Sequence, residues 1–141
     1  MKRVYISGPI TKGDIGHNVR QADAAMLALM RAGLSPFNPM LSCYAGGEGG
    51  GFVGVVPNAK AHGGFRDLGH AAWVAMDFAW VEVSAAVLRL PGESTGADAE
   101  CAHARSVGVP VFESLPALVA WANYDRKFED APLFYPVRFA P

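Results

Sequence analysis

Residues 85–112, AAVLRLPGESTGADAECAHARSVGVPVF, contain a complete strand, loop, helix and strand. The apolar run ends at Leu90, small and polar residues follow as far as Gly96, and helical spacing covers 97–107 before Gly108. The run VPVF at 109–112 then predicts another strand. A helix between two strands is typical of parallel strands joined by a crossover, so this stretch indicates an α/β fold.

The same alternation covers most of the chain. The other predicted elements are a strand in RVYISGPI (3–10), a helix over 18–32, a strand in LSPFNP (34–39), a helix over 68–83 and a last helix after Ser114. We therefore expect a doubly wound parallel sheet of four to five strands with helices on both faces, of the flavodoxin or Rossmann type. Ligands bind at the carboxyl ends of such strands, so the loops at 7–11 and 91–96 should meet over a site.

The length of 141 residues, 51% of them hydrophobic, predicts a single domain over 1–141. Two segments depart from the alternation. Glycines dominate 42–66, which is either a lid over the site or a surface excursion without function. The aromatic and proline-containing tail at 124–141 is expected to be irregular and to pack on its own domain or on a partner subunit.

Composition excludes several classes of function. The net charge is −1 with 12 Lys and Arg, which argues against a nucleic-acid partner. No apolar run approaches the roughly 20 residues of a membrane span, so we predict a cytoplasmic protein with no membrane partner. The two cysteines and four histidines lack zinc-ligand spacing, and we predict no metal and no cofactor.

The loop before the third predicted helix is suited to an anion. Ser94, Thr95 and Gly96 would place unpaired N–H groups and the positive end of the helix dipole beside it. Glu100, one turn into the helix, can project back toward the same loop as nucleophile, base or hydroxyl acceptor. The alternatives are that Ser94 or Thr95 is only a helix cap and that Glu100 is an ordinary exposed glutamate.

Asp77 is the second unusual carboxylate, because its helix is otherwise nearly apolar. Trp73 and Trp80 are spaced to share its face. Burial there would raise the pKa of Asp77 toward that of a general acid, whereas a surface position would leave it without a role. Tyr5, near the carboxyl end of the first strand, has a hydroxyl that could reach a carboxylate above the sheet.

Five features together resemble the nucleoside 2-deoxyribosyltransferase superfamily, and within it the small phage and bacterial branch. They are VYISGPIT near the start, Asn18, G-x-x-P-F-N-P at 33–39, the helix aspartate, and LPG-x-S-x-G-A-x-x-E at 90–100. The resemblance extends from about Arg3 to Phe112.

The resemblance implies roles for individual residues. Glu100 would attack the anomeric carbon of a 2'-deoxynucleoside, as in a retaining glycosidase, while Asp77 assists the leaving base and Tyr5 orients the nucleophile. The substrate-binding residues that it implies are Ser7, Gly8, Ile10, Asn18, Ser94 and Gly96. It also implies a homodimer or higher homo-oligomer. Ser84 stands where many relatives have an aspartate, which would weaken sugar recognition.

Three functions are compatible with these residues. The first is transfer of deoxyribose between bases of a deoxynucleoside, and the second is hydrolysis of a deoxynucleoside 5'-monophosphate, for which Arg66 and Arg89 are the candidate basic residues. The third is a nucleotide-binding protein without catalytic activity. All three have a small-molecule deoxynucleoside or deoxynucleotide as partner.

Overall fold

The computed structural model describes residues 1–41 and 70–124, and these residues form four strands and four helices. In chain order they are β1 (Arg3–Ser7), α1 (Ile15–Arg31), β2 (Ser35–Phe37), α2 (His70–Glu82), β3 (Ala86–Arg89), α3 (Thr95–Ser106), β4 (Val111–Phe112) and α4 (Leu115–Tyr124). The predicted alternation is confirmed. The glycine-rich loop predicted at 42–66 and the tail beyond Tyr124 lie outside the described residues, and Tyr124 itself closes α4.

Helix α1 begins three residues before the predicted start. The Asp14 side chain caps it by accepting a hydrogen bond from the N–H of His17 at 3.0 Å. Hydrophobic spacing marks only the part of a helix that packs on the core, so the first turn, which is mostly exposed, was not visible in the pattern.

The four strands form one parallel sheet in the order β2-β1-β3-β4. Tyr5 of β1 lies between Phe37 of β2 and Val87 of β3. The chain winds outward in one direction from β1 and in the other from β3, so these two adjacent strands define the switch point of a doubly wound fold. The predicted fold class is confirmed.

Each face of the sheet has its own hydrophobic core. On one face Val4 and Ile6 pack with Leu29 of α1 and Leu118 of α4. On the other, the core is formed by Tyr5, Val81, Val87, Cys101, Ala104 and Val109, which belong largely to β1, β3, α2 and α3. Since side chains alternate along a strand, Ser7 lies on the same face as Tyr5, beneath α3.

The loops after β1 and β3 meet, as predicted. The N–H of Leu90 donates to the carbonyl of Ser7 at 2.7 Å. Gly92 has a φ of +117°, and a Cβ added to it would lie 2.8 Å from Cγ of Pro9. Only glycine fits this contact, which holds the two loops together at the carboxyl end of the sheet. Within the described ranges, no helix has the length and apolarity needed to cross a membrane.

Candidate active site

A cavity of about 540 Å³ opens at the carboxyl ends of β1 and β3, on the face covered by α2 and α3. This size is typical of small-molecule sites. The described residues that line it are Gly8, Ile10, Thr11, Lys12, Pro39, Trp73, Val74, Met76, Asp77, Phe78, Ser94, Thr95, Gly96, Ala97, Ala99 and Glu100. The two loops and two helices predicted from the sequence thus converge on one space, whose wall combines apolar side chains with one lysine, several hydroxyl groups and two carboxyl groups.

Glu100 projects from the second turn of α3 into this cavity. Its Oε2 accepts a hydrogen bond of 2.6 Å from Oγ of Ser7. Burial, together with the nearby charge of Asp77, raises the pKa of Glu100. Hydrogen bonding from Ser7 and, more weakly, from Tyr5 lowers it, as does the charge of Arg89, and the net pKa is about 7. Glu100 is therefore a half-buried carboxyl that gains or loses its proton near neutral pH.

Asp77 lies on α2 and lines the same cavity. Its Oδ1 is buried and has no hydrogen-bond partner among the described residues. Desolvation raises the pKa of Asp77, as the nearly apolar helix around it predicts. A buried oxygen without a donor costs free energy, so it favours either the protonated acid or a ligand that supplies the missing partner.

Tyr5 is fully buried beneath both carboxyl groups. Its hydroxyl makes no regular hydrogen bond with any residue in the described part of the chain. Burial raises the pKa of Tyr5, and the negative charges of Glu100 and Asp77 raise it further, so the phenol stays protonated. A neutral hydroxyl placed there can donate to either carboxylate after a small movement.

The start of α3 combines a cap with unpaired donors. Oγ of Ser94 accepts from the N–H of Ala97 at 3.2 Å, so the predicted cap is confirmed. The N–H groups of Thr95 and Gly96 are in the first turn of α3, so the helix itself offers them no carbonyl acceptor. Both residues line the cavity. Among the described residues, the nearest atom to a Cβ added to Gly96 would be Oγ of Ser94, at 3.9 Å, which leaves room for a ligand against the backbone.

The two basic residues near the loops are already paired. Lys12 forms an ion pair with Glu93, which links the loops after β1 and β3 at the exposed rim of the cavity. Arg89 donates to the carbonyl of Gly92 and to Oδ1 of Asp98, both at 2.9 Å. It braces the loop instead of lining the cavity. Arg66 lies outside the described residues.

Two predicted positions, Asn18 and Trp80, differ from expectation. Asn18 is not among the described residues that line the cavity. Its amide instead donates to the carbonyls of Ile10 at 3.2 Å and Lys12 at 2.7 Å. Trp73 lines the cavity, but Trp80 stacks on Phe37 with ring centroids 4.5 Å apart. The spacing of three residues between Asp77 and Trp80 was therefore a poor guide to a shared site.

The resemblance implies that the residue at position 84 affects sugar recognition, but the structure places Ser84 away from the cavity. It lies at the amino end of β3, and its hydroxyl donates to the carbonyl of Trp80 at 2.8 Å. The cavity is at the carboxyl end of the same strand. A serine at this position therefore ends α2 and has no direct contact with the cavity formed by the described residues.

The role of Ser7 was only partly visible in the sequence. Its place at the end of β1 predicted proximity to the ligand, but the structure places it, fully buried, beneath Glu100. Only the pairing of β1 with β3 and the position of α3 bring the two together, and no local pattern encodes that contact. Among the residues described, no group of three His, Cys, Asp or Glu is arranged to hold a metal ion.

Comparison with known proteins bears on the fold. No protein-family model and no curated protein matches the chain. A solved structure of a 2-deoxyribosyltransferase from the psychrotolerant bacterium Bacillus psychrosaccharolyticus matches with a TM-score of 0.54 at 14% identity. The match covers 89% of this chain and 93% of that one. At this identity the likeness establishes architecture, and the chain has the fold of a nucleoside 2-deoxyribosyltransferase, as its motifs imply.

Proposed function

We propose that the protein cleaves the N-glycosidic bond of a 2'-deoxynucleoside and transfers the sugar to a second base, with Glu100 as nucleophile. The observation that carries this proposal is the pair of half-buried carboxyl groups, Glu100 and Asp77, in one cavity at the switch point of the sheet. A transferase of deoxyribose needs one carboxylate that attacks and a second group that handles the proton of the base.

The chemistry follows from the two environments. A carboxylate oxygen of Glu100 bonds to the anomeric carbon, the bond from that carbon to the base nitrogen breaks, and its electron pair stays on the base. Asp77 donates a proton to the departing base, for which its raised pKa is suited. A nitrogen of a second base then attacks the anomeric carbon of this glycosyl ester. The bond to Glu100 breaks, and Asp77 recovers a proton from the second base. Water in place of the base gives hydrolysis.

The apolar wall supplies the contacts for the base and sugar. Trp73 and Phe78 line the cavity on α2, on either side of Asp77 in sequence. Flat aromatic surfaces favour a stacked nucleobase and exclude water from the reacting atoms. Tyr5 is proposed to orient Glu100 from beneath, while Gly8, Ile10, Ser94 and the backbone at Gly96 contact the sugar.

Hydrolysis of a deoxynucleoside 5'-monophosphate is the second candidate. It is favoured by the N–H groups of Thr95 and Gly96 at the start of α3, which are suited to an anion. Lys12 at the rim adds a cation once its pairing with Glu93 is broken. Against it, Glu100 has to be ionised to attack, and its negative charge in the same cavity repels a phosphate. The charge balance of the described residues therefore favours the uncharged nucleoside.

The experiment is to incubate the protein with each deoxynucleoside and each deoxynucleoside 5'-monophosphate, with and without a second base, and to resolve the bases by chromatography. Glu100→Gln is the test variant. Glu113→Gln is the matched control, because Glu113 is an exposed glutamate that does not line the cavity among the described residues. Base exchange that Glu100→Gln abolishes and Glu113→Gln retains supports the transferase.

The other outcomes assign the other functions. Release of base without exchange, from monophosphates alone, supports the hydrolase. No turnover of any substrate would overturn both enzymatic proposals and leave a nucleotide-binding protein. Assembly as a homodimer or larger homo-oligomer and a cytoplasmic location stay predictions, and light scattering coupled to gel filtration tests the first.

A further inference from the structure

We propose that Ser7 is a positioning residue for Glu100: its hydroxyl anchors Oε2 and leaves Oε1 as the oxygen that faces the cavity. The inference rests on the proposed function, because it assigns the attacking atom of that reaction. Two observations of the structure support it. Ser7 is fully buried at the end of β1, and its Oγ lies 2.6 Å from Oε2 of Glu100.

The two oxygens of Glu100 have different surroundings. Oε2 accepts a hydrogen bond of 2.6 Å from Ser7, whereas no hydrogen bond of regular geometry to Oε1 is found among the described residues. Because Glu100 lines the cavity, the unheld oxygen is the one available to a substrate. A hydrogen bond lowers the nucleophilicity of the oxygen that accepts it, so an anchored Oε2 and a free Oε1 divide the work of holding and attacking.

Ser7 also has a second acceptor. Its Oγ lies 3.3 Å from the carbonyl oxygen of Ala97, one turn before Glu100 on α3. A hydroxyl has one proton and two lone pairs, so it donates to Oε2 when Glu100 is ionised. When Glu100 carries a proton, the carboxyl can donate to Oγ while Ser7 donates to Ala97. The same contact therefore fixes the carboxyl in both protonation states.

The charged and titratable groups around Glu100 come from every element packed against it. They are Tyr5 of β1, Asp77 of α2, Arg89 of β3 and Cys101 of α3, whose Sγ lies 3.9 Å from Oγ of Ser7. Within the described part of the chain, Ser7 makes the one hydrogen bond of regular geometry to the carboxylate, and the Tyr5 hydroxyl acts on it as a weaker donor. Removal of the Ser7 hydroxyl is therefore expected to act directly on Glu100.

The test is to titrate Glu100 by carbon-13 NMR of labelled glutamate side chains, with its signal assigned by its loss in Glu100→Gln. In Ser7→Ala the midpoint should rise by about one pH unit, because a donor to the ionised form is lost. The acid limb of base release should move by the same amount, and kcat at pH 7 should fall about 10-fold with KM nearly unchanged.

Ser84→Ala is the matched control. It also removes a buried serine hydroxyl and its hydrogen bond to a helix carbonyl, but Ser84 precedes β3, at the end of the sheet away from the cavity. It should lose comparable stability and leave the midpoint of Glu100 unchanged. If Ser7→Ala fails to fold, Ser7→Cys retains the volume with a weaker donor, and its midpoint should also rise.

A folded Ser7→Ala or Ser7→Cys protein whose Glu100 midpoint is unchanged or lower would overturn the inference. The failures of the two proposals are distinguishable. A raised midpoint without base release from any substrate by the unaltered protein would overturn the function and leave the hydrogen bond standing. Base release by an enzyme whose Glu100 midpoint is insensitive to Ser7 would do the reverse.

Discussion

Replacement of Glu100 by glutamine should stabilise the protein at alkaline pH while abolishing its activity. The fold raises the pKa of Glu100 from 4.5 to about 7, chiefly by burial. An acid whose pKa is raised in the folded state does not lower the free energy of unfolding below its unfolded-state pKa. As pH rises from there through the folded-state pKa, the free energy of unfolding falls. The full penalty is at most about 3 kcal/mol, because one pKa unit corresponds to 1.36 kcal/mol.

The measurement is the free energy of unfolding in urea for the wild type and Glu100→Gln at pH 5 and pH 8. Glutamine does not ionise, so it removes the penalty, and its carbonyl oxygen can still accept from Ser7. The expected gain is about 3 kcal/mol at pH 8 and below about 1 kcal/mol at pH 5. Glu113→Gln, at an exposed position, should give no such difference between the two pH values.

Equal stability of the two proteins at pH 8, or a loss in the variant, would refute the idea that burial of this carboxylate is costly. A gain of the same size at both pH values would show that the glutamine improves packing and that ionisation is not the cause. Only the pH-dependent part of the gain measures the cost of ionising Glu100 in the folded protein.

Three further substitutions test the loops and the second carboxyl group. Gly96→Ala should raise the stability of α3 by about 0.5–1 kcal/mol, since its Cβ has room, yet raise KM for the nucleoside; an unchanged KM would contradict close approach of the ligand. Gly92→Ala should cost more free energy of unfolding than Gly108→Ala, because both have positive φ but only the first Cβ collides, at 2.8 Å from Pro9. Asp77→Asn should lower kcat with little change in KM. In the wild type, base release should decline as pH rises through the raised pKa of Asp77, and the variant should lack this decline. A variant with the wild-type pH profile would exclude Asp77 as the acid.

The fold could be predicted because it depends on patterns that the sequence repeats. Strand and helix alternate from Arg3 to Tyr124, and the rule that ligands bind at the carboxyl ends of parallel strands then places the site. Local surroundings make Glu100, Asp77 and Gly96 candidates, since a loop before a helix and a carboxylate in an apolar helix can both be recognised in the sequence, but only the family resemblance implies their roles.

The contacts between elements could not be predicted in the same way. The resemblance implies that Asn18 binds the substrate, but its amide donates to the carbonyls of Ile10 and Lys12. Arg89 was a candidate for an anion, but Gly92 and Asp98 already use its guanidinium. In each case a polar side chain satisfied a neighbouring backbone or charge first, and only three-dimensional structure shows which partner that is.

The position of Ser7 shows why the carboxylate can be both costly and precise. A parallel sheet brings the end of β1 beside the end of β3, so a residue 93 positions away in sequence reaches Glu100 from below. Desolvation alone would leave Glu100 protonated at neutral pH and its oxygens free to rotate. One buried donor opposes both tendencies, because it favours the ionised form and fixes the orientation of the carboxyl plane. Under the proposed function, this balance lets Glu100 ionise and attack while the apolar side chains around it exclude water from the glycosidic bond.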